Sequence, residues 1–430
     1  MTASLLGFLA VFAMMALRVP IAMAMGVVGF AGLALLRNWD VSVVSTLLVI
    51  KSTGFSYTLS VIPLFLLMGN IAARAGMATE LFELARAFLG HRRGGIAMAT
   101  VGASGGFGAI CGSSIATTAT ITKVAYPEMR RLDYSPALIA GTVAAGGTLG
   151  ILIPPSTLLI IYGILTETNI GKLFAAGFLP GLLTVFCLCL MVGWRCRRDP
   201  SAAPTSERYD WRRRWRAFGK VWGVVALFVL VIGGIYGGLF TATEGAGFGA
   251  FGTLVLALAR RRIGWSGVSG AVADATRTTA MLFAILMGAL IFGNFINFTG
   301  MPGQLQSFVS GLAVSPTVVV LAICAIYILL GSVMEELSMV MLTVPLFFPV
   351  IVGLGLDPYW FGIVIVMVVM IGMISPPVGM NLFVLSSLVP ELPVSTVYRG
   401  VLPFMGALVL ALLLVILFPD IATFLPQWTK

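Results

Sequence analysis

Of the 430 residues, 59% are hydrophobic and only 10% are charged, against about 25% charged in a typical soluble domain, and the mean hydropathy is +1.05. These values exclude a soluble globular fold. The net charge of +10 is no nucleic-acid footprint either, because the basic residues cluster at the ends of apolar segments, where they set membrane orientation. The chain reads as an all-α polytopic integral membrane protein: its surroundings are a lipid bilayer, and it has no nucleic-acid partner.

In chain order, apolar segments at 3–17, 20–36 and 57–74 are spans, although 3–17 is short for the roughly 20 apolar residues that cross a bilayer. No basic stretch precedes the first span and Arg18 follows it, which predicts a retained helix with its N-terminus outside. Residues 39–56 are of mixed polarity and read as a helix on the membrane surface. A glycine- and hydroxyl-rich region at 94–122 reads as a re-entrant hairpin. It is followed by a helix at 135–165 interrupted between Gly146 and Ser156, and by a span at 173–194. The stretch from Arg195 to Lys220 holds nine basic residues and Pro200 and Pro204, and is a solvated cytoplasmic loop. Beyond it come spans within 218–259, a second surface segment at 263–277 and a span at 278–297. A second hairpin near 303–350, a second broken helix near 357–390 and a last span at 400–418 complete the chain. The five cysteines lack metal-ligand spacing and read as small membrane-embedded hydrophobes.

The two halves resemble each other. Gly69-Asn70, five residues, then Gly76-Met77 recurs as Gly293-Asn294, five residues, then Gly300-Met301, 224 positions on. Leu149-Gly150-Ile151-Leu152-Ile153-Pro154-Pro155 recurs as Ile371-Gly372-Met373-Ile374-Ser375-Pro376-Pro377, and Gly177-Phe178-Leu179-Pro180 as Gly400-Val401-Leu402-Pro403, at offsets of 222 and 223. Common Gly and Pro explain single matches but not a nearly constant offset, so the chain is divided as repeat 1–196, basic loop 197–217 and repeat 218–430. Five crossings per half would invert the second copy. That count places Arg18, Arg74, Arg86, Arg92, Arg93, Lys123, Arg130, Arg131, the Arg195–Lys220 cluster, Arg260, Arg261, Arg262, Arg277 and Arg399 inside. Only Arg37, Lys51, Lys172 and Lys430 then fall outside, in accord with the positive-inside bias.

Glycine and hydroxyl residues over 102–120 suit two half-helices meeting at a tip, whose N-terminal ends attract an anion and whose freed carbonyls hold a cation. Small-residue packing alone suits an uninterrupted helix. Each Pro-Pro pair must unwind its helix and free carbonyls at bilayer depth. The tip at Ser113 and Ser114 and the breaks at Pro154, Pro155, Pro376 and Pro377 are therefore candidate substrate-binding positions. The second tip lies near Gly331–Glu336, where Glu335 and Glu336 sit between apolar runs and are functional candidates. Glu244 lies in a loop between spans and is structural. His91, the only histidine, adjoins Arg92 and Arg93 and reads as solvated. No zinc, phosphate-loop or Ser/His motif is present, so the protein is not read as an enzyme, and transport would draw on an ion gradient. An intramembrane hydrolase using Glu335 or Glu336 would leave the duplicated Pro-Pro breaks unexplained.

At these residues the sequence resembles the large membrane subunit of tripartite ATP-independent periplasmic (TRAP) transporters of the Dct type, over essentially its whole length. The resemblance is carried by residues 102–117, by Gly150–Ser156, by Gly238–Glu244, by Asp357–Gly362 and by Ile371–Gly379. It implies a sodium-coupled elevator-type carrier in the bacterial inner membrane that imports a small organic acid, with a small four-helix membrane subunit and a periplasmic substrate-binding protein as partners. Carried over by motif, it implies sodium positions at Ser113, Ser114 and Gly150 in the first half and at Glu335, Gly372 and Ser375 in the second. The family usually has Thr where this chain has Ser375, which keeps the hydroxyl, and a single acidic hairpin position where this chain has Glu335-Glu336. A stand-alone sodium/dicarboxylate symporter of related build is the alternative reading.

Overall fold

The structure, a computed structural model, describes residues 2–205, 208–312 and 314–429, and its regular structure is entirely helical among them. Lys430, expected on the outer side, lies outside the described residues. In the first half, α1 (Thr2–Ala16) and α2 (Ile21–Leu36) lead to α3 (Trp39–Gly54), α4 (Val61–Arg74) and α5 (Met77–Leu89). The hairpin pair α6 (Gly95–Cys111) and α7 (Ser114–Arg131) follows, then α8 (Pro136–Thr148), α9 (Thr157–Thr166) and α10 (Ile170–Arg198). The second half begins with α11 (Trp211–Tyr236), α12 (Ala242–Ala259), α13 (Trp265–Phe298) and α14 (Met301–Gly311). It continues with α15 (Pro316–Gly331), α16 (Glu336–Gly353), α17 (Pro358–Gly372), α18 (Met380–Leu388) and α19 (Val394–Leu417).

The ends of these helices follow from side chains that satisfy free backbone N–H groups. Asn38 caps α3 through Val41 N–H at 2.9 Å, Asp357 caps α17 through Trp360 N–H at 2.7 Å, and Ser135, Ser156, Asn169 and Asp210 act alike on α8, α9, α10 and α11. Thr241 and Glu244 form a reciprocal capping box at the start of α12, which gives Glu244 the structural role expected of it. Gly76 and Gly300, the repeated glycines, both take left-handed φ (+73° and +72°) where α5 and α14 begin.

Among the described residues, six helices (α10, α11, α12, α13, α16 and α19) are long and apolar enough to cross a membrane alone. The others are shorter: α8 and α9 make a crossing only as a broken pair, because 13 and 10 residues fall below the needed length. Helix α3 meets the helical stretch Thr58–Arg74 at 56°. The surface segment expected at 263–277 is instead the first part of α13, continuous over 34 residues. No proline stands between Trp265 and Phe298, its four glycines do not break the helix, and at about 51 Å it is long enough for its polar first turns to lie beyond the ~30 Å hydrocarbon core. There Asp274 pairs with Arg74 at 2.6 Å. The region expected as the second hairpin, near 303–350, contains three helices, because α14 ends before Pro316 opens α15.

Packing is closest where glycines let backbones touch. Gly29 of α2 lies against Phe292 of α13, and a Cβ there would stand 2.7 Å from its backbone. Gly141 of α8 and Gly400 of α19 face each other so closely that a Cβ on either would overlap a backbone carbonyl of the other helix. The second pairing explains why Gly400, part of the repeated motif, is glycine: it brings the last span onto the first broken helix. All five cysteines are unpaired, four buried and Cys189 half-buried.

Candidate functional site

The two breaks and the two hairpin tips come together in the middle of the molecule. In the first half, only Gly112 and Ser113 separate α6 from α7. Gly112 turns with φ +65°, and its carbonyl accepts from both the N–H (3.2 Å) and the hydroxyl (2.7 Å) of Thr157, which opens α9 beyond the Pro-Pro break. Ser113 caps α7 through Ala116 N–H at 3.4 Å. Gly108 rides on Gly150, where a Cβ would stand 2.7 Å from the Gly150 Cα. A Cβ on Gly150 would meet the Thr117 hydroxyl at 2.5 Å and the Ser113 carbonyl at 2.6 Å. The break itself is braced by Ser156, whose hydroxyl donates to the Ile151 carbonyl at 2.5 Å. Pro154 and Pro155 are buried and joined by a cis peptide.

The second half repeats this scheme with different chemistry. Gly331 of α15 packs on Gly372 at the end of α17, with Cβ-to-Cα approaches of 2.9 and 2.8 Å. The Ser332 carbonyl accepts from Gly379 N–H at 3.2 Å, so this tip too is fastened to the segment beyond the break. Glu335 caps α16 by accepting from Ser338 N–H and Ser338 Oγ, both at 3.0 Å. Ser375 donates to the Ile371 carbonyl at 2.7 Å. The second Pro-Pro peptide is also cis, but Pro376 and Pro377 are exposed, and Tyr398 donates its hydroxyl proton to the Pro377 carbonyl.

Four buried oxygens here have no hydrogen-bond partner: the hydroxyls of Thr117, Thr118 and Thr142, and Oε2 of Glu336, a residue only 2% exposed. Such groups are costly unless something else satisfies them. At Gly150 the Ser113 carbonyl and the Thr117 hydroxyl come so close that no side chain fits there. Oxygens gathered at one tip in this way are ligands of the kind a hard cation takes.

Sequence reasoning singled out Ser114 but missed its partner. Ser114 Oγ donates to Asn381 Oδ1 at 3.0 Å and accepts from Asn381 Nδ2 at 2.8 Å, and Nδ2 also reaches the Ala144 carbonyl at 3.4 Å. Both side chains are fully buried. Asn381 therefore joins the first hairpin, the first broken helix and the second broken helix at one point. The available signal was a lone amide among apolar residues just after the second Pro-Pro pair. His91 stands away from this centre and is half-buried rather than solvated; burial, then Arg208, Arg214 and Arg92, hold its pKa below the ordinary value.

A family model described as tripartite ATP-independent periplasmic transporter, DctM component, matches residues 8–421. The "C4-dicarboxylate TRAP transporter large permease protein DctM" of Pseudomonas aeruginosa is 36% identical, with 90% of each chain covered. The "Sialic acid TRAP transporter large permease protein SiaM" of Vibrio cholerae is 32% identical over 86% of this chain and 87% of its own. Among solved structures, the YdaH transporter of Alcanivorax borkumensis superposes with a TM-score of 0.64 at 15% identity over 88% of this chain and 87% of its own, a likeness of fold. The match along nearly the whole length, together with the paired tips and breaks, means that the chain belongs to the TRAP transporter large permease family: a multi-pass membrane transport protein, not an enzyme.

Proposed function

We propose that this protein is the ion-driven subunit of a TRAP importer that carries a small organic acid across the bacterial inner membrane, with sodium as the coupling ion. The observation that carries the reading is the pair of tip-and-break junctions, each with a buried oxygen that has no protein partner: Thr117 Oγ1 in the first half and Glu336 Oε2 in the second. Sodium takes oxygen ligands, and a cation at each junction would relieve the cost of its unpaired oxygen. Ser113, Thr117 and Gly150 would hold one ion, with Ser114 positioned by Asn381 at the same tip. Glu335, Gly372 and Ser375 line the other junction, where Glu336 adds a second carboxylate.

The substrate meets the exposed edge of the second break at Pro376, Pro377 and Val378, beside the helix N-termini at the tips, whose partial positive charge suits a carboxylate. Relatives named for C4-dicarboxylates and for sialic acid are consistent with an acid as cargo. The halves are inverted repeats, with the N-terminus periplasmic and the basic stretch 195–220, shared by the end of α10 and the start of α11, cytoplasmic. Helices α6–α10 and α15–α19 move as an elevator against α1, α2, α4 and α11–α13. A small four-helix membrane subunit and a periplasmic binding protein complete the system.

The test is uptake of labelled carboxylates into proteoliposomes holding this chain and the small subunit, with and without an inward sodium gradient and the periplasmic protein. Uptake that needs both supports the proposal. Uptake that needs sodium alone makes the protein a self-sufficient symporter, and uptake indifferent to sodium removes the ion sites.

A further inference from the structure

We propose that an anionic phospholipid binds between α5 and α11, with its phosphate in a basic cleft at the end of the helix pair and an acyl chain in the apolar groove below. The inference needs neither the sodium sites nor the substrate assignment.

The cleft encloses about 370 Å³ and is lined by Glu83, Arg86, Tyr209, Arg213, Arg216 and Lys220. Two of its cations are already paired: Lys220 with Glu83 at 3.0 Å, and Arg86 with Glu128 at 2.7 Å. Arg213 and Arg216 have no carboxylate within reach among the described residues, and Arg213 is held in place by stacking on Tyr209 at 3.7 Å. Among the described residues the cleft thus presents two guanidinium groups without a carboxylate partner, one of them held in place, the arrangement that suits a phosphate. Nearby Arg214 is buried, with two nitrogens lacking partners, so the surrounding field is positive as well.

The depth of the cleft is marked independently. Trp211, Trp215, Phe218 and Trp222 recur at helical spacing on the opposite face of α11 and are 41–67% exposed. Exposed tryptophans in a membrane protein sit at headgroup level, so the cleft lies where a lipid phosphate would be. One turn deeper, the same two helices border a groove of about 260 Å³. Leu81 of α5, Val224 and Phe228 of α11, and Gly102, Gly105 and Gly106 of α6 form its walls. The absence of side chains at the three glycines opens a channel of a width suited to a hydrocarbon chain. Charged head and apolar tail are satisfied at adjacent levels of one helix pair, which favours a lipid over a free anion.

The experiment measures retention of phosphatidylglycerol and phosphatidylcholine by native mass spectrometry of the purified chain, and protection against heat by the same lipids, by inorganic phosphate and by glycerol 1-phosphate. The proposal expects phosphatidylglycerol to be retained in preference to phosphatidylcholine. Retention should weaken by about 30-fold in the double variant Arg213→Gln/Arg216→Gln, since each basic residue contributes to anionic-lipid attraction. It should be unchanged in Arg92→Gln/Arg93→Gln, whose arginines lie outside the cleft. Gly102→Leu, which fills the groove without touching the cleft, should also lose the lipid. Equal retention of both lipids, or full retention by the double variant, overturns the proposal. Equal protection by inorganic phosphate overturns the lipid in favour of a soluble anion. If Gly102→Leu retains phosphatidylglycerol as the unaltered chain does, no acyl chain occupies the groove and the proposal falls.

Discussion

The two junctions share a backbone plan and differ in chemistry. In both, a glycine of the hairpin packs on a glycine of the broken helix, Gly108 on Gly150 and Gly331 on Gly372. In both, a carbonyl at the tip is tied to the segment beyond the Pro-Pro pair. The first junction is buried and offers neutral oxygens from Ser113 and Thr117, with its prolines buried too. The second carries Glu335 and Glu336, and its prolines face outward. The backbone geometry recurs, and individual side chains differ between the two junctions. On the proposed function, the first junction serves an ion alone, while the second serves an ion beside the acid it accompanies.

Four matched sets of substitutions would break or sharpen this comparison. The largest effect is expected for Gly150→Ala, whose Cβ would crowd the Ser113 carbonyl and the Thr117 hydroxyl together. Losing two ligands should lower apparent sodium affinity in uptake by about 100-fold. The matching Gly372→Ala crowds the Gly331 backbone instead, so it should destabilise by about 1–3 kcal/mol with a smaller effect on sodium. Equal sodium effects would mean that the junctions are chemically alike.

Next, Glu336→Gln should reduce uptake by about 30-fold without lowering thermal stability, because it removes a buried charge that lacks a protein partner. Glu335→Gln acts on a helix cap and should cost about 1 kcal/mol, yet impair transport more than Glu244→Gln. The reverse order would move coupling away from the second tip. Thr117→Val should weaken apparent sodium affinity by about tenfold, whereas Ser375→Ala should do so only through the second junction and cost about 1 kcal/mol for its bond to Ile371. If neither changes sodium dependence, both hydroxyls leave the ion sites. The smallest effects belong to Gly76→Ala and Gly300→Ala, which force Cβ into a left-handed turn at about 1 kcal/mol each. Matched shifts in melting temperature would show that these repeated turns are equivalent in energy as well as in position.

Much of the fold was legible because its signals are local. Apolar length marks a span, and Pro-Pro breaks a helix whatever surrounds it, so the breaks at Pro154 and Pro376 stand where the sequence put them. The repeated Gly76 and Gly300 recur as the same left-handed turn. Misreadings arose where local polarity competed with continuity: residues 263–277 are polar enough for a surface helix, but nothing interrupts them before Phe298, and the helix simply runs on.

The amino-acid sequence by itself determined the membrane environment, the two breaks and the glycine-rich tips, because hydrophobic transfer and proline geometry act over a few residues. The expected basic loop is instead mostly the end of α10 and the start of α11, with only Arg208 of its nine basic residues outside a helix. Only the tertiary structure decided which oxygens are left without partners. The meeting of Ser114 with Asn381, 267 positions apart, the orphaning of Glu336 beside Glu335, which caps α16, and the burial of one Pro-Pro pair but not the other all depend on which helices pack together. Hydrogen-bond satisfaction is a property of the assembled interior, and no window of sequence contains it.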